Sequence, residues 1–459
     1  MKKFLYALLL ILFPYVAMAQ NYESLDFWQT ATVQDIQPLL TPENINKKLD
    51  DKRFKKGVTY LMLAMSSKDP KVLEALIKAG ADVNAKTEDG NTPIMGASSA
   101  QFVKILKKAG AKVNEKNDMG WTPLALACHH GNSETVSALI EVGADIHFKV
   151  GGQYNLLMVA AQKNPDARVT QTLLKAGFDI NAKTKDGDTA LGLAALDNPN
   201  PEVIEALVQA GADINAKSKD SLTPILMAAA HNPNPDVIDT LVKNGADINA
   251  IGEPTKKEMM FMTRTLSAAM VYNDNKEMVR KILDSGYDLN NRAPENISTA
   301  FMEVCPLVED PQLIYDMVKK YGADIKAKTE GKESSVLMVC SMFSQSPDII
   351  QALIDEGAIV NERTPESWTA LMSAAANQNP EIVKVLIKNG ADVRAKWKGG
   401  NATALMYACR INPNRDVILA LIEGGSDIKA KDNGGKTAYD WLKTNPDLKD
   451  DQELLNKLR

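Results

Sequence analysis

The chain has 459 residues, which is long enough for several domains or for one extended array. Its 45% apolar and 24% charged residues are typical of a folded protein, and glycine and proline are too few to suggest disorder. The net charge is −5 and no long basic run is present, so we expect no nucleic-acid partner.

The first 19 residues have the pattern of a secretory signal peptide. Lys2 and Lys3 precede an apolar run, and Ala17-Met18-Ala19 is a small-x-small cleavage sequence, which predicts a cut after Ala19. The alternative is a membrane anchor, but the run is shorter than the roughly 20 residues that span a bilayer. No cysteine lies near the cut and no second apolar run of spanning length follows. The signal has a bacterial style, so we expect a periplasmic or secreted protein with no membrane contact after cleavage.

Residues 20–56 are predicted to form N-terminal capping helices. The stretch "TVQDIQPLL" at 32–40 is typical of the second helix of a helix pair that lacks a complete first half. The end of a repeat array faces water on one side, so its sequence departs from the repeat.

Residues 57–432 repeat one phrase, and "AGADINAK" at 210–217 is one copy of it. Intervals of 34 residues separate Gly143, Gly177, Gly211 and Gly245. Eleven glycines mark the phrase: Gly80, Gly110, Gly143, Gly177, Gly211, Gly245, Gly286, Gly322, Gly357, Gly390 and Gly425. A period near 34 predicts a solenoid of stacked units.

Each unit contains two helix signals. A first helix follows a capping residue, with Arg264 as the exception. The predicted capping residues are Thr59, Thr92, Thr122, Asn155, Thr189, Thr223, Thr299, Ser334, Thr369, Thr403 and Thr437. A second helix follows an Asp, Asn or Ser that precedes proline, at Asp69, Asn164, Asn200, Asn234, Asp310, Ser346 and Asn379. The glycine ends the second helix in the left-handed conformation, and the polar residues after it predict a hairpin-like loop, here called a finger.

These features resemble the ankyrin repeat. The best match is "GWTPLALA" at 120–127, followed by "GNSETVSALIEVGADI", and the resemblance covers residues 57–432. It implies an all-α ankyrin solenoid of about eleven repeats with terminal caps. The tetratricopeptide repeat has a similar period, but it lacks the polar finger, and its Trp-Leu-Gly-Tyr pattern is absent here.

The sequence departs from the ankyrin pattern in two ways. The usual histidine of "TPLH" is missing, and methionine often takes its place, at Met62, Met95, Met158, Met302, Met372 and Met406. Many units also insert a residue before the second helix, as in "NPNPDV", where we expect looser loops. Residues 433–459 are predicted to form a C-terminal cap, with one helix opening at Thr437 and "DQELLNKLR" closing the chain.

Nothing in the sequence points to catalysis, a cofactor or a metal. Cys128-His129-His130 could begin a zinc site, but its spacing fits no metal motif, and adjacent helical residues diverge by about 100°. The four cysteines occupy small, apolar repeat positions at Cys128, Cys305, Cys340 and Cys409. Equivalent residues of packed helices lie about 8–10 Å apart, too far for a disulfide, so we predict four buried free thiols.

The resemblance implies that a partner protein binds a concave face built from fingers and first helices. Residues at those positions that favour binding are Met119, Trp121, His129, His130, Tyr154, Leu222, His231 and Trp368, and further candidates are Tyr272, Met342, Arg410 and Ile411. The alternative for Trp121 and Trp368 is that they only stiffen fingers. The finger at 251–264 is lengthened, and its apolar "MMFM" could contact a partner or fold back onto the stack.

The sequence therefore predicts a non-catalytic protein–protein interaction module, monomeric, with a protein partner in the periplasm. The alternative is an effector that is released from the cell and binds host proteins. A third possibility, an enzyme with a site between repeats, would need clustered titrating groups, which the sequence does not supply.

Overall fold

The computed structural model describes residues 22, 24–49, 56–252, 264–292 and 298–459. The predicted signal peptide and its cleavage site lie outside the described residues, as does most of the lengthened finger, 253–263. The chain divides into two compact units, residues 1–246 and 247–459, and each is described by itself.

The first unit contains six of the predicted pairs. Its first helices are Tyr60–Leu63, Pro123–His130, Leu156–Lys163, Ala190–Asp197 and Pro224–His231, with a 3-10 turn at Pro93–Gly96 in the second pair. Its second helices are Pro70–Lys78, Ala100–Lys108, Ser133–Glu141, Ala167–Lys175, Pro201–Gln209 and Asp236–Lys243. A short 3-10 turn at Ala64–Ser66 follows the earliest first helix. First helices pack on first helices of the next repeat, and second helices pack on second helices.

The second unit has the same alternation. Its first helices are Thr265–Tyr272, Ala300–Val304, Val336–Phe343, Ala370–Ala374, Ala404–Ile411 and Ala438–Leu442, with a 3-10 turn at Cys305–Leu307. Its second helices are Glu277–Asp284, Pro311–Lys319, Pro347–Asp355, Pro380–Lys388, Arg415–Glu423 and Gln452–Lys457. The last pair lies in the predicted C-terminal cap. The fold is therefore all-α and made of consecutive helix pairs, as predicted.

All eleven marker glycines have positive φ, between 71° and 100°. Each ends a second helix in the left-handed region, which an L side chain adopts only at a cost of about 1–2 kcal/mol. The fingers are mostly turns, and one of them forms a short hairpin in which Lys149–Val150 pairs antiparallel with Tyr154–Asn155. This part of the sequence interpretation is confirmed.

Buried asparagines connect successive repeats. The amide of Asn198 donates to the carbonyls of Ala161 (2.8 Å) and Asn164 (2.9 Å) in the preceding repeat. Asn232 repeats this geometry on Ala195 (2.7 Å) and Asn198 (2.9 Å). The other members are Asn164 in the first unit and Asn377, Asn412 and Asn445 in the second. The inserted residues thus belong to loops that are tied to their neighbours, and the expectation of looser loops is wrong there.

A second set of asparagines connects the fingers. Asn84 donates to the Gly110 carbonyl (3.1 Å) and accepts from the Lys112 N–H (2.9 Å) of the next repeat. Asn361 does the same with Gly390 and Asp392 in the second unit, at 2.8 Å for both bonds. The asparagine of the "ADINAK" phrase therefore binds the carbonyl of the marker glycine in the next repeat.

The structure corrects three local predictions. The helix at Val336–Phe343 is capped by Ser335 rather than Ser334, because Ser334 pairs with Thr329 to close a finger that is one residue longer. Helix Ala167–Lys175 is capped by Asp166, since Asn164 is occupied by its bonds to the preceding repeat. The stretch 32–40 forms turns and a 3-10 turn at Gln37–Leu39 instead of a second helix, and a helix at Leu25–Thr30 precedes it.

Arg264, the exception among the capping residues, has a structural explanation. Its side chain is only 2% exposed and forms a 2.6 Å ion pair with Glu303 on the next first helix. Burial raises the pKa of Glu303, and the charge of Arg264 partly offsets that rise. Arg264 therefore makes no side-chain cap for its own helix and instead forms an ion pair with the next repeat.

Candidate protein-interaction surface

In each unit, the predicted site residues other than Leu222 lie on the face formed by its fingers and first helices, here called the first-helix face. Residues reach this face from two positions: the finger just before a cap, and the exposed side of the first helix. We describe it separately for the two units.

In the first unit, Trp121 and His129 form the core of a cluster that we call the Trp121 cluster. Their rings meet edge to face with centroids 5.4 Å apart, and the His130 ring lies 5.7 Å from that of His129. Trp121 is held by its finger, because its N–H donates to the Asn117 side chain (2.8 Å) and its carbonyl accepts from the Asn117 N–H (3.0 Å). The three rings predicted to lie together are therefore brought together.

His129 is an uncharged member of this cluster at neutral pH. Burial lowers the pKa of His129 to about 4, and the nearby charges of His130 and Lys163 add to the effect. Lys163 itself pairs with Asp197 of the next repeat at 2.7 Å. The imidazole of His129 thus offers a neutral polar ring edge.

The other predicted residues of the first unit fall in different environments. Met119 is 65% exposed at the finger tip, and Tyr154 is half-buried in the short hairpin of the next finger. His231 is exposed at the end of helix Pro224–His231. Leu222 is only 5% exposed, although its finger closes on Ser218 through the same two hydrogen bonds that close the Trp121 finger on Asn117; the difference lies in the side chain, a small aliphatic one here and a larger indole at Trp121. Leu222 is therefore a core residue, and its assignment to the contact surface is corrected.

In the second unit, Trp368 lies in a larger aromatic group. The ring of Trp368 meets the Tyr407 ring edge to face at 5.0 Å and the Trp397 ring at 6.2 Å. These side chains and Trp441 line an open cleft of about 330 Å³, which we call the Trp368 cleft. All four aromatic residues are half-buried.

Two indole groups of the cleft are fixed by hydrogen bonds within the protein. Trp368 donates from Nε1 to the Ser373 hydroxyl at 2.9 Å, and Trp441 donates from Nε1 to Asp432 at 2.9 Å. The Arg410 guanidinium lies 4.9 Å from the centre of the Trp441 ring, and the Lys436 ammonium lies 4.5 Å from it. The walls are thus rigid apolar rings, and the edge carries positive charge.

Comparison with known families identifies the fold. The family described as "Ankyrin repeats (3 copies)" matches residues 61–150, 157–251, 301–397 and 337–432, which is more than half of the chain. The chain belongs to the ankyrin repeat family. Ankyrin repeats serve as protein–protein interaction modules, and this chain carries such a module. No curated protein matches the sequence.

Sequence reasoning missed three residues of the Trp368 cleft in this ankyrin repeat protein: Trp397, Tyr407 and Trp441. A signal for two of them was present. The fourth residue after the cap is aromatic in two first helices, at Tyr407 after Thr403 and at Trp441 after Thr437, and Ser373 occupies the same position after Thr369. Two successive repeats therefore direct this position into the cleft, and in the repeat before them Ser373 holds the Trp368 indole from behind by a hydrogen bond.

The described residues contain no cluster of His, Cys, Asp or Glu that could hold a metal ion. Within the same residues, no helix has both the length and the apolar character needed to cross a membrane. Two aromatic groups of the described residues, the Trp121 cluster and the Trp368 cleft, lie on the first-helix face of their units.

Proposed function

We propose that this ankyrin repeat protein is a non-catalytic binding or scaffold protein that holds a partner protein on its first-helix face. The observation that carries the proposal is the Trp368 cleft. Four large aromatic side chains stay half-buried around an open cleft there, although the helix stack has its own aliphatic core. Trp, Tyr and Arg are the residues that most often dominate binding energy at protein interfaces.

The Trp121 cluster supports the same function in the first unit. Its exposed Met119 and its stacked rings offer a second apolar contact area next to polar imidazole edges. Aromatic rings fixed by finger hydrogen bonds lose little entropy on binding, which favours affinity. We therefore propose the Trp121 cluster as a second surface for partner contact, within the first unit.

We place this function in the bacterial periplasm, on the strength of the signal-peptide pattern at 1–19. The other candidate, release from the cell as an effector that binds host proteins, rests on the same pattern. Fractionation into cytoplasm, periplasm and medium separates the two, and N-terminal sequencing of the mature chain should begin at Gln20. We also propose a monomer, which sedimentation of the purified chain tests.

The test of binding is capture of the partner in the native compartment with chemical crosslinking. One variant carries Trp397→Ala and Tyr407→Ala, and a second carries Trp121→Ala and His129→Ala. The matched control carries Lys104→Ala and Lys384→Ala, which change exposed lysines of second helices. We expect the control to retain the partner and each cluster variant to lose it. A partner retained by both cluster variants would contradict the proposal.

A further inference from the structure

The chemistry of the Trp368 cleft indicates what kind of segment it binds, an inference that rests on the proposed function. A cleft of about 330 Å³ is at the small end of ligand sites, which span about 300–1,000 Å³. It has room for one or two side chains of a partner. The walls contributed by Trp368, Trp397 and Tyr407 are apolar ring surface, so the inserted side chain is large and apolar.

The polar side-chain groups of the cleft that make no hydrogen bond within the described part of the chain can all donate one. Neither the Tyr407 hydroxyl nor the Trp397 indole N–H has a hydrogen-bond partner within the described part of the chain. The same holds for the guanidinium of Arg410, which is exposed and stacked on Trp441. A stacked guanidinium keeps its edge N–H groups free for a carboxylate.

The one carboxylate of the cleft is already occupied. Asp432 accepts from the Trp441 indole (2.9 Å) and from the backbone N–H groups of Gly434 and Lys436, both at 2.8 Å. Two cations, Arg410 and Lys436, already lie against the Trp441 ring. A cationic ligand would need a free aromatic ring face and a free carboxylate. In this cleft Arg410 and Lys436 already cover the Trp441 ring, and the Asp432 carboxylate is already hydrogen-bonded, so the cleft does not favour a cation.

Two of the three fingers around the cleft are basic, although the whole chain is acidic; the third, which carries Trp368, has Glu362 and Glu366 beside Arg363. Residues 396–402 and 429–436 carry five lysines and one aspartate, against a net charge of −5 for the chain. Lys396 and Lys398 flank Trp397, and both are exposed. A segment rich in carboxylates would be attracted by the lysines of both of these fingers.

We propose that the Trp368 cleft binds an acidic segment of the partner protein, with one large apolar side chain in the cleft and a neighbouring Asp or Glu carboxylate on Arg410. The apolar side chain fills the space between Trp368, Trp397 and Tyr407. The adjacent acidic residues face the lysines of the two fingers.

The test uses the purified full chain and labelled seven-residue peptides with blocked ends, measured by fluorescence anisotropy. The probe has phenylalanine at its centre and glutamate at the two positions on each side. Three comparison peptides have alanine at the centre, lysine in place of glutamate, or serine in place of glutamate. We expect the glutamate–phenylalanine peptide to bind at least about tenfold more tightly than each comparison peptide, because both the apolar anchor and the charge contribute.

Variants of cleft residues then test whether the peptide binds in the cleft. Arg410→Gln should weaken the probe about tenfold, as expected for a lost charge-assisted hydrogen bond, while the matched control Arg168→Gln in the first unit should not. Tyr407→Ala should weaken it as well, with thermal unfolding of each variant measured to verify the fold. No selective binding of the acidic peptide, or tighter binding of the lysine peptide, would overturn this proposal. Loss of the crosslinked partner in the Trp397→Ala and Tyr407→Ala variant would still support the proposed function, so the two failures are distinguishable.

Discussion

The side chain of Asn412 donates a 2.7 Å hydrogen bond to the backbone carbonyl of Asn377, the equivalent residue of the preceding repeat. Its second amide hydrogen reaches the Ala375 carbonyl at 2.9 Å, and its oxygen accepts from the Asn414 N–H at 2.8 Å. Asn412 is 1% exposed. One buried amide thus satisfies three backbone groups at the junction of two repeats.

Asn412→Ala should therefore lower the free energy of unfolding by about 1–3 kcal/mol, since buried backbone groups lose their partners. Urea denaturation followed by circular dichroism measures the change. The control is Asn433→Ala, at an exposed finger position whose side chain makes no hydrogen bond among the described residues. Equal stability of the two variants would show that the buried asparagines do not hold the repeats together.

The marker glycines could be predicted from sequence because their conformational requirement is local. The hydrogen bonds that the buried asparagines make between repeats could not. The Asn–Pro pattern predicted helix caps, and Asn200 and Asn379 do cap their helices. The asparagine two positions earlier has one local bond, because its oxygen accepts from the backbone N–H two residues on, but its amide hydrogens have no local partner that a pattern can show. Its partners are carbonyls of the previous repeat, and their positions depend on how the repeats stack.

The ion pair of Arg264 with Glu303 gives a second prediction. Glu303→Ala would leave the buried guanidinium without its carboxylate, which should cost about 3–5 kcal/mol in the free energy of unfolding. Glu309→Ala is the control, because Glu309 pairs with Lys276 at 3.6 Å where both side chains are almost fully exposed. That exposed pair should contribute less than about 1 kcal/mol. Similar losses in both variants would contradict the structural role of Arg264.

The His129 imidazole gives a pH-dependent prediction. Its pKa is lowered to about 4 in the folded chain, from about 6.5 in an unfolded chain. Between these values the unfolded state binds a proton that the folded state does not, so stability falls as pH decreases from 6.5 towards 4. His129→Gln removes this contribution, and its urea midpoint should fall less between pH 7 and 5 than that of the wild type. Parallel curves would show that His129 is not buried against Trp121.

The cysteines give a test of the core. All four are buried free thiols, and burial raises the pKa of the Cys128 and Cys409 thiols. Burial also raises the pKa of the Cys340 thiol, and the neighbouring Cys305 thiol of the preceding repeat adds to that rise. A chromogenic disulfide reagent should find almost no reactive thiol in the folded chain at pH 8 and four after denaturation without reductant. Two thiols after denaturation would indicate a disulfide, with Cys305 and Cys340 as its first candidates.

The candidate surface was only partly predictable from sequence. Trp121 and Trp368 were found because they stand just before a cap, at the tip side of a finger. Leu222 stands at the same position but is buried, although Ser221 (φ 57°) and Ser367 (φ 62°) give its finger and the Trp368 finger the same turn, so the finger pattern alone does not show which of the two side chains is exposed. Tyr407 and Trp441 were missed because each is separated from Trp368 by a whole repeat or more, and only stacking brings them to one cleft.

The central claim is that the partner protein lies on the first-helix face at the Trp368 cleft. The most direct test places a photocrosslinking amino acid at Tyr407 in the full chain, and in a second protein at Lys384 on the exposed side of a second helix. Both proteins are irradiated in the native compartment and analysed by gel shift and mass spectrometry. We expect one discrete crosslinked protein from position 407 and none from position 384. No crosslink from 407, or the same protein crosslinked from both positions, would contradict it.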